Sequence, residues 1–173
     1  MNIDELYTPE EIAQKLKVTK YTIYEMIKRG DLDAHHLGKQ LRISSEQFNQ
    51  YLQKGKGSSN IYEAEINSVD GDTIALVNQT KIYVNTELKG KVKISIPPED
   101  IILSTQTLNS SAKNTLKGTV IDFFEDNTSV KVILDTGILI SALITKKSFD
   151  TMGIKKDIEL YIIFKTMSVK VYK

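Results

Sequence analysis

The sequence predicts a two-domain α+β chain, a small mainly helical domain followed by an all-β domain of barrel or sandwich type. Three observations carry that reading. Apolar residues recur at helical spacing up to about Gln53 and at alternating, strand-type spacing from about Ile61. Between the two textures runs Lys54-Gly55-Lys56-Gly57-Ser58-Ser59-Asn60, which has the composition of a flexible linker. The length, 173 residues, suits two small domains better than one. The expected divisions are 1–53, a linker 54–60, and a β half made of 61–106 and 107–173.

In the first domain, Thr8 caps a helix whose first turn holds Pro9, Glu10 and Glu11. Proline suits the first helical position and carboxylates suit the positive end of the helix dipole. Glu11, three residues after Thr8, completes a capping box. Ile12, Ala13 and Leu16 form its apolar face, with Ala13 small where a second helix crosses. Lys17 and Val18 make a tight turn that Val18 is expected to plug. Thr19 then caps a second helix, with Ile23 and Ile27 facing inward and Gly30 as its left-handed stop. A hairpin follows, from His35-His36-Leu37 through Gly38-Lys39 to Leu41-Arg42-Ile43. Ser44 or Ser45 caps a third helix carrying Phe48, Tyr51 and Leu52.

Two short helices, a tight turn, a hairpin and a third helix make a winged helix-turn-helix pattern. Such a domain lays its second helix in the major groove of double-stranded DNA. The candidate DNA-binding residues are Thr19, Lys20, Tyr21, Thr22, Tyr24 and Lys28 on that helix, and Lys39 and Arg42 on the wing. Tyr21 and Tyr24 serve equally well as partial core. Between Lys17 and Arg42 there is a modest basic excess, while the whole chain carries a formal charge of only +1. Leu6 to Ala13, with Gly30-Asp31-Leu32 and Leu41-Arg42-Ile43, resembles the excisionase-like and MerR-like DNA-binding domains. In those domains the second helix and the wing contact DNA.

In the second half, expected strands run from Tyr62 to Val69, Thr73 to Val77, Lys81 to Val84 and Lys91 to Ile96. Five more run from Thr115 to Phe124, Ser129 to Leu134, Leu139 to Thr145, Glu159 to Phe164 and Ser168 to Tyr172. Turn signals separate them at Asp70-Gly71-Asp72, Lys89-Gly90, Glu125-Asp126-Asn127 and Asp135-Thr136-Gly137. Many short strands at this spacing indicate a small barrel or sandwich. A short helix starts at Lys146 or Lys147 and ends at Met152, stopped by Gly153.

Composition narrows the chemistry. Hydrophobic content of 40% and charge of 26% are those of a globular chain. There is no cysteine, so no disulfide framework and no thiolate metal site exists. His35 and His36 have no third ligand in sequence and read as a solvated pair, so no metal cation is expected. The acidic start, Met1 to Glu5, lacks the apolar run of a signal peptide, and no stretch approaches the ~20 apolar residues of a membrane span. A cytoplasmic protein without a membrane partner is expected. No Ser/His/Asp or Cys/His arrangement and no Walker-type glycine loop is present, so an enzyme is not expected.

The informative motif is Asn109-Ser110-Ser111-Ala112-Lys113-Asn114-Thr115-Leu116-Lys117-Gly118. It resembles the Ser-Ala-Arg-Asn opening of molybdenum-pterin-binding (molbindin, Mop or TOBE) domains, with lysine in place of arginine. Leu143 to Ser148 is similar to the strand-to-helix corner of that family and Ile163 to Val169 to its closing strands. Ile96 to Ser104 is similar to the segment preceding the motif in molybdate-transporter ATPases. The resemblance implies OB-like barrels that bind molybdate or tungstate between modules or subunits. The oxyanion-binding candidates are then Ser111, Ala112, Lys113, Asn114, Thr145, Lys146, Ser148, Lys165 and Thr166.

The chemistry of a tetrahedral dianion agrees. It requires several hydrogen-bond donors, a little positive charge and no carboxylate nearby. Hydroxyls at Ser111, Thr145 and Ser148, charge at Lys113 and Lys165, and N–H groups at Ala112 and the helix start near Lys146 meet that need. Taken singly, each has an ordinary reading as turn-former, helix cap or solvated lysine. Joining the halves gives an oxyanion-responsive, DNA-binding transcriptional regulator that forms a homo-oligomer. The alternative is a molybdate or tungstate storage protein whose first domain mediates protein contacts.

Overall fold

A computed structural model describes residues 5–54 and 60–173 of the chain. Most of the expected linker therefore lies outside the described residues. Its two ends do not: Lys54 closes a helix and Asn60 opens a strand. The chain divides into two compact units, 1–56 and 57–173.

The first unit is built by local capping chemistry around a small apolar core. Strand β1 (Leu6–Tyr7) leads into α1 (Pro9–Leu16), where the Thr8 hydroxyl accepts the Glu11 N–H at 3.2 Å and the Glu11 carboxylate accepts the Thr8 N–H at 2.7 Å. Lys17 ends that helix in a left-handed conformation, φ 56°. α2 (Lys20–Arg29) is capped by Thr19 and stopped by Gly30 at φ +78°, a conformation glycine adopts without Cβ strain. β2 (His35–Leu37) and β3 (Gln40–Ser44) form the wing, and β1 adds to it in the order β1-β3-β2. α3 (Ser45–Lys54) opens with a second reciprocal cap: the Gln47 N–H donates to the Ser44 hydroxyl at 3.1 Å, and the Ser44 N–H donates to the Gln47 amide oxygen at 3.0 Å. Ile12, Ala13, Ile23, Met26, Leu32, Ile43 and Phe48 make the core. Val18 is not a plug; its side chain is 39% exposed and only its N–H is engaged, by the Ala13 carbonyl.

The second unit contains two five-stranded antiparallel sheets with one repeated order. The first comprises β4 (Asn60–Val69), β5 (Asp72–Val77), β6 (Thr80–Tyr83) and β7 (Gly90–Ile96). The second comprises β9 (Asn114–Glu125), β10 (Ser129–Asp135), β11 (Leu139–Thr145) and β12 (Glu159–Phe164), with α4 (Lys146–Thr151) between the last two. The fifth strand of each sheet comes from the other segment. β8 (Ile102–Ser104), which follows β7, pairs with β12, and β13 (Lys170–Tyr172), which follows β12, pairs with β7. The orders β6-β5-β4-β7-β13 and β11-β10-β9-β12-β8 correspond strand for strand. Strand pairing therefore crosses the expected 106/107 boundary in both directions. β8 is not among the strands expected from the sequence.

One continuous apolar core joins the sheets, with Ile82, Ile94 and Ile96 from the first meeting Val120, Val132 and Phe164 from the second. Each outer edge remains open, as in the partly open five-stranded OB architecture. Gly118 in β9 is required by close approach: a Cβ there would lie 2.7 Å from Thr136 Cγ2 and 2.8 Å from Ile162 Cδ1.

Candidate functional site

Each of the two repeats leaves its fourth strand through a single residue and one 3-10 turn. After β7 that residue is Pro97 and the turn is Pro98–Asp100; after β12 it is Lys165 and the turn is Thr166–Ser168. The last residues of both turns, Asp100 and Ser168, line one cleft of about 290 Å³. Ser110, Ser111 and Ala112 enter it from the segment before β9, and Ile102, Phe164 and Lys165 complete the lining. Three expected residues, Ser111, Ala112 and Lys165, are therefore brought together. Asp100, Ser110 and Ser168 are not among the expected site residues; Ser110 and Ser168 lie in segments similar to the molbindin family, and Asp100 in the segment similar to molybdate-transporter ATPases.

The cleft offers donors that are still available. Lys165 is exposed and makes no ion pair among the described residues. Ser111 is exposed, and half-buried Ser168 lines the same cleft. The Ala112 N–H is less available than expected, because it donates to the Ser110 hydroxyl at 3.2 Å. Thr166 opens the 3-10 turn beside Lys165 and is half-buried outside the cleft.

The other oxyanion candidates are engaged elsewhere, and each has a physical reason. The Lys113 ammonium sits 2.5 Å from Asp72 and above the Tyr83 ring, and the hydrogen bond to Asp72 holds its pKa above the ordinary lysine value. Asn114 is 1% exposed; its amide oxygen accepts the Tyr83 N–H and its amide nitrogen donates to the Tyr83 carbonyl, so it ties β9 to β6. Thr145 is the cap of α4, accepting the Ser148 N–H at 3.1 Å and donating to the Ser148 hydroxyl at 2.9 Å. Lys146 pairs with Glu125 at 2.7 Å, which raises its pKa, and its N–H donates to the Thr128 carbonyl. The Thr145-Lys146-Ser148 group does not line the cleft.

In the first unit, Tyr21, Tyr24 and Lys28 lie on one face of α2 at helical spacing, all exposed, with Tyr21 at 73%. Neither tyrosine belongs to the core. Lys39 stands exposed at the wing tip beside Gly38, φ +65°. Thr19 caps the helix, its hydroxyl accepting the Thr22 N–H at 3.2 Å and lying 2.9 Å from the Thr22 hydroxyl. Two cations expected on this surface are held internally. The Lys20 ammonium bonds to Glu10 of α1, which raises its pKa, and the Arg42 guanidinium folds back on the Leu41 carbonyl and the Gln40 amide oxygen. No described helix is long and apolar enough to cross a membrane.

Residues 6–56 match the helix-turn-helix domain family. The chain is 38% identical over 112 residues to the molybdate/tungstate import ATP-binding protein WtpC of Pyrococcus abyssi, covering 64% of this chain and 33% of that protein. It is 31% identical over 119 residues to the uncharacterized protein YvgK of Bacillus subtilis, covering 69% of this chain and 34% of that protein. The chain thus spans about a third of the length of the curated relatives it matches. Among solved structures it shares a fold with the cytoplasmic molybdate-binding protein ModG in a molybdate-bound form, at TM-score 0.58 and 19% identity, covering 66% of this chain and 96% of that one.

Proposed function

We propose that the chain is a molybdate- or tungstate-responsive, DNA-binding transcriptional regulator, with no catalytic step of its own. One observation carries the ligand side of this reading. Of the three candidate lysines, 113, 146 and 165, Lys165 alone is left without a carboxylate partner, and it shares a cleft with three serines. A cation among hydroxyl donors suits a tetrahedral oxyanion. The likeness to WtpC supports molybdate or tungstate as that anion, and the helix-turn-helix match of residues 6–56 supports DNA as the macromolecular partner. Tyr21, Lys28 and Lys39 would meet the duplex, and a homo-oligomer would read two half-sites about one helical turn apart.

The test is a calorimetric titration of the full chain with molybdate, tungstate and sulfate, alongside anisotropy on promoter DNA from upstream of its own gene. Tight binding of the first two anions, with a change in DNA affinity on saturation, is the expected result. No preference over sulfate would remove the sensor reading. The alternative, a storage protein with a protein-binding first domain, is favoured by the internal engagement of Lys20 and Arg42. Anion binding with no salt-dependent DNA binding would establish it.

A further inference from the structure

The cleft that gathers Lys165 and the serines also contains a carboxylate. Asp100 ends the 3-10 turn after β7, lines the cleft, and has neither an ion pair nor a side-chain hydrogen bond among the described residues. Its counterpart in the other repeat is Ser168, at the end of the turn after β12 and on the lining of the same cleft. The two positions are topologically equivalent but chemically opposed. A serine hydroxyl donates to an oxyanion, whereas an ionised carboxylate presents only acceptors. Lys165 and Asp100 together leave the side-chain charge of the lining at zero.

We propose that Asp100 is the residue that sets the charge selectivity of this cleft. Its carboxylate opposes a doubly charged oxyanion bearing no proton more than it opposes a singly charged one of the same shape. The site is thereby held at a weaker affinity for the dianion than its lysine and serines alone would give. The inference rests on reading the cleft as an oxyanion site. Because Asp100 is exposed, solvent and salt reduce the repulsion to a factor of about three to ten in affinity at low ionic strength.

The experiment titrates the full chain with molybdate and with perrhenate, a tetrahedral monoanion, by calorimetry in low salt. The variants are Asp100→Asn, Asp100→Ser and Lys165→Ala. Both Asp100 variants are expected to bind molybdate about three- to tenfold more tightly, with a distinctly smaller gain for perrhenate. The serine variant copies the counterpart turn and guards against an effect peculiar to the amide. Unchanged or weakened molybdate binding in both Asp100 variants, or equal gains for the two anions, would overturn the proposal. If Lys165→Ala leaves molybdate affinity intact, the cleft itself is misassigned. If Lys165→Ala weakens binding and the Asp100 variants do not strengthen it, only the role of Asp100 fails.

Discussion

The Asn114 side chain and the Tyr83 backbone form a rung between two sheets: the amide oxygen accepts the Tyr83 N–H at 2.8 Å and the amide nitrogen donates to the Tyr83 carbonyl at 2.9 Å. Asn60 makes the corresponding grip from the first sheet on the second. Its oxygen accepts the Ser141 N–H at 2.7 Å, and its nitrogen donates to the Ser141 and Ile96 carbonyls, each at 3.0 Å. The first strand of each repeat is thus clamped to the third strand of the other. These amides replace the hydrogen bonds that two open sheet edges would otherwise lack.

Replacing Asn114 with Ala leaves both backbone groups of part-buried Tyr83 without that partner. A loss of roughly 2–4 kcal/mol of unfolding free energy is expected in urea titration. Asn60→Ala should behave alike. A loss under 1 kcal/mol in both variants would show that water replaces the clamp.

Gly118→Ala drives a methyl group into Thr136 and Ile162, and to within 3.0 Å of the Asp135 carbonyl. Strand β10 cannot retreat without disturbing its ladder to β9, so a destabilisation of about 1–3 kcal/mol is expected. Thermal unfolding followed by circular dichroism measures it, and an unaltered midpoint would contradict the packing described.

Lys165→Ala is expected to weaken molybdate binding by about tenfold or more, the scale of one charge-assisted hydrogen bond. Lys113→Ala and Lys146→Ala should change it far less, because Asp72 and Glu125 already neutralise those ammonium groups. Calorimetry on the three variants ranks them; a dominant effect at Lys113 would move the site toward β6.

On the DNA side, Lys28→Ala and Lys39→Ala should each lower the salt dependence of duplex binding by about one unit of slope. Lys20→Ala should lower it less, since its charge already faces Glu10. Anisotropy across a salt series reads the slopes directly. Equal slopes for all three variants would place the duplex elsewhere on the unit.

The Thr8 cap predicts an acid limit for the first unit. The Glu11 pKa is depressed below its ordinary 4.5, first by the Thr8 N–H and then by the Thr8 hydroxyl. A depressed carboxylate contributes stability above its unfolded value, and that contribution disappears as pH falls through the folded value. Unfolding of the isolated unit 1–56 should therefore become easier below pH 4.5, and Glu11→Gln should flatten that fall. Parallel acid profiles for the two proteins would count against it.

Legibility in the sequence followed the range of the interaction. Thr8, Glu11, Thr19 and Gly30 were readable because a cap engages backbone three or four positions away. Most strands were readable from alternation; the molbindin-like motif holds Ser111 and Ala112, and the closing segment Ile163 to Val169 holds Lys165, which line one cleft. What escaped depends on distant partners. Asp72 captures Lys113 from far along the chain, Glu125 captures Lys146, and Tyr83 takes the amide of Asn114. Asp100 lies within Ile96 to Ser104, yet only the fold carries it to the cleft that Lys165 also lines.

The strand exchange has a consequence for how the polypeptide is made. Helix α3 and everything before it can settle as soon as it leaves the ribosome, since its partners are all nearby. The sheet begun at Asn60 stays one strand short until Lys170–Tyr172 has been translated. The β half must therefore assemble late and as a whole, so a nascent chain halted after β8 would present a β7 edge with no partner, exposed to other chains.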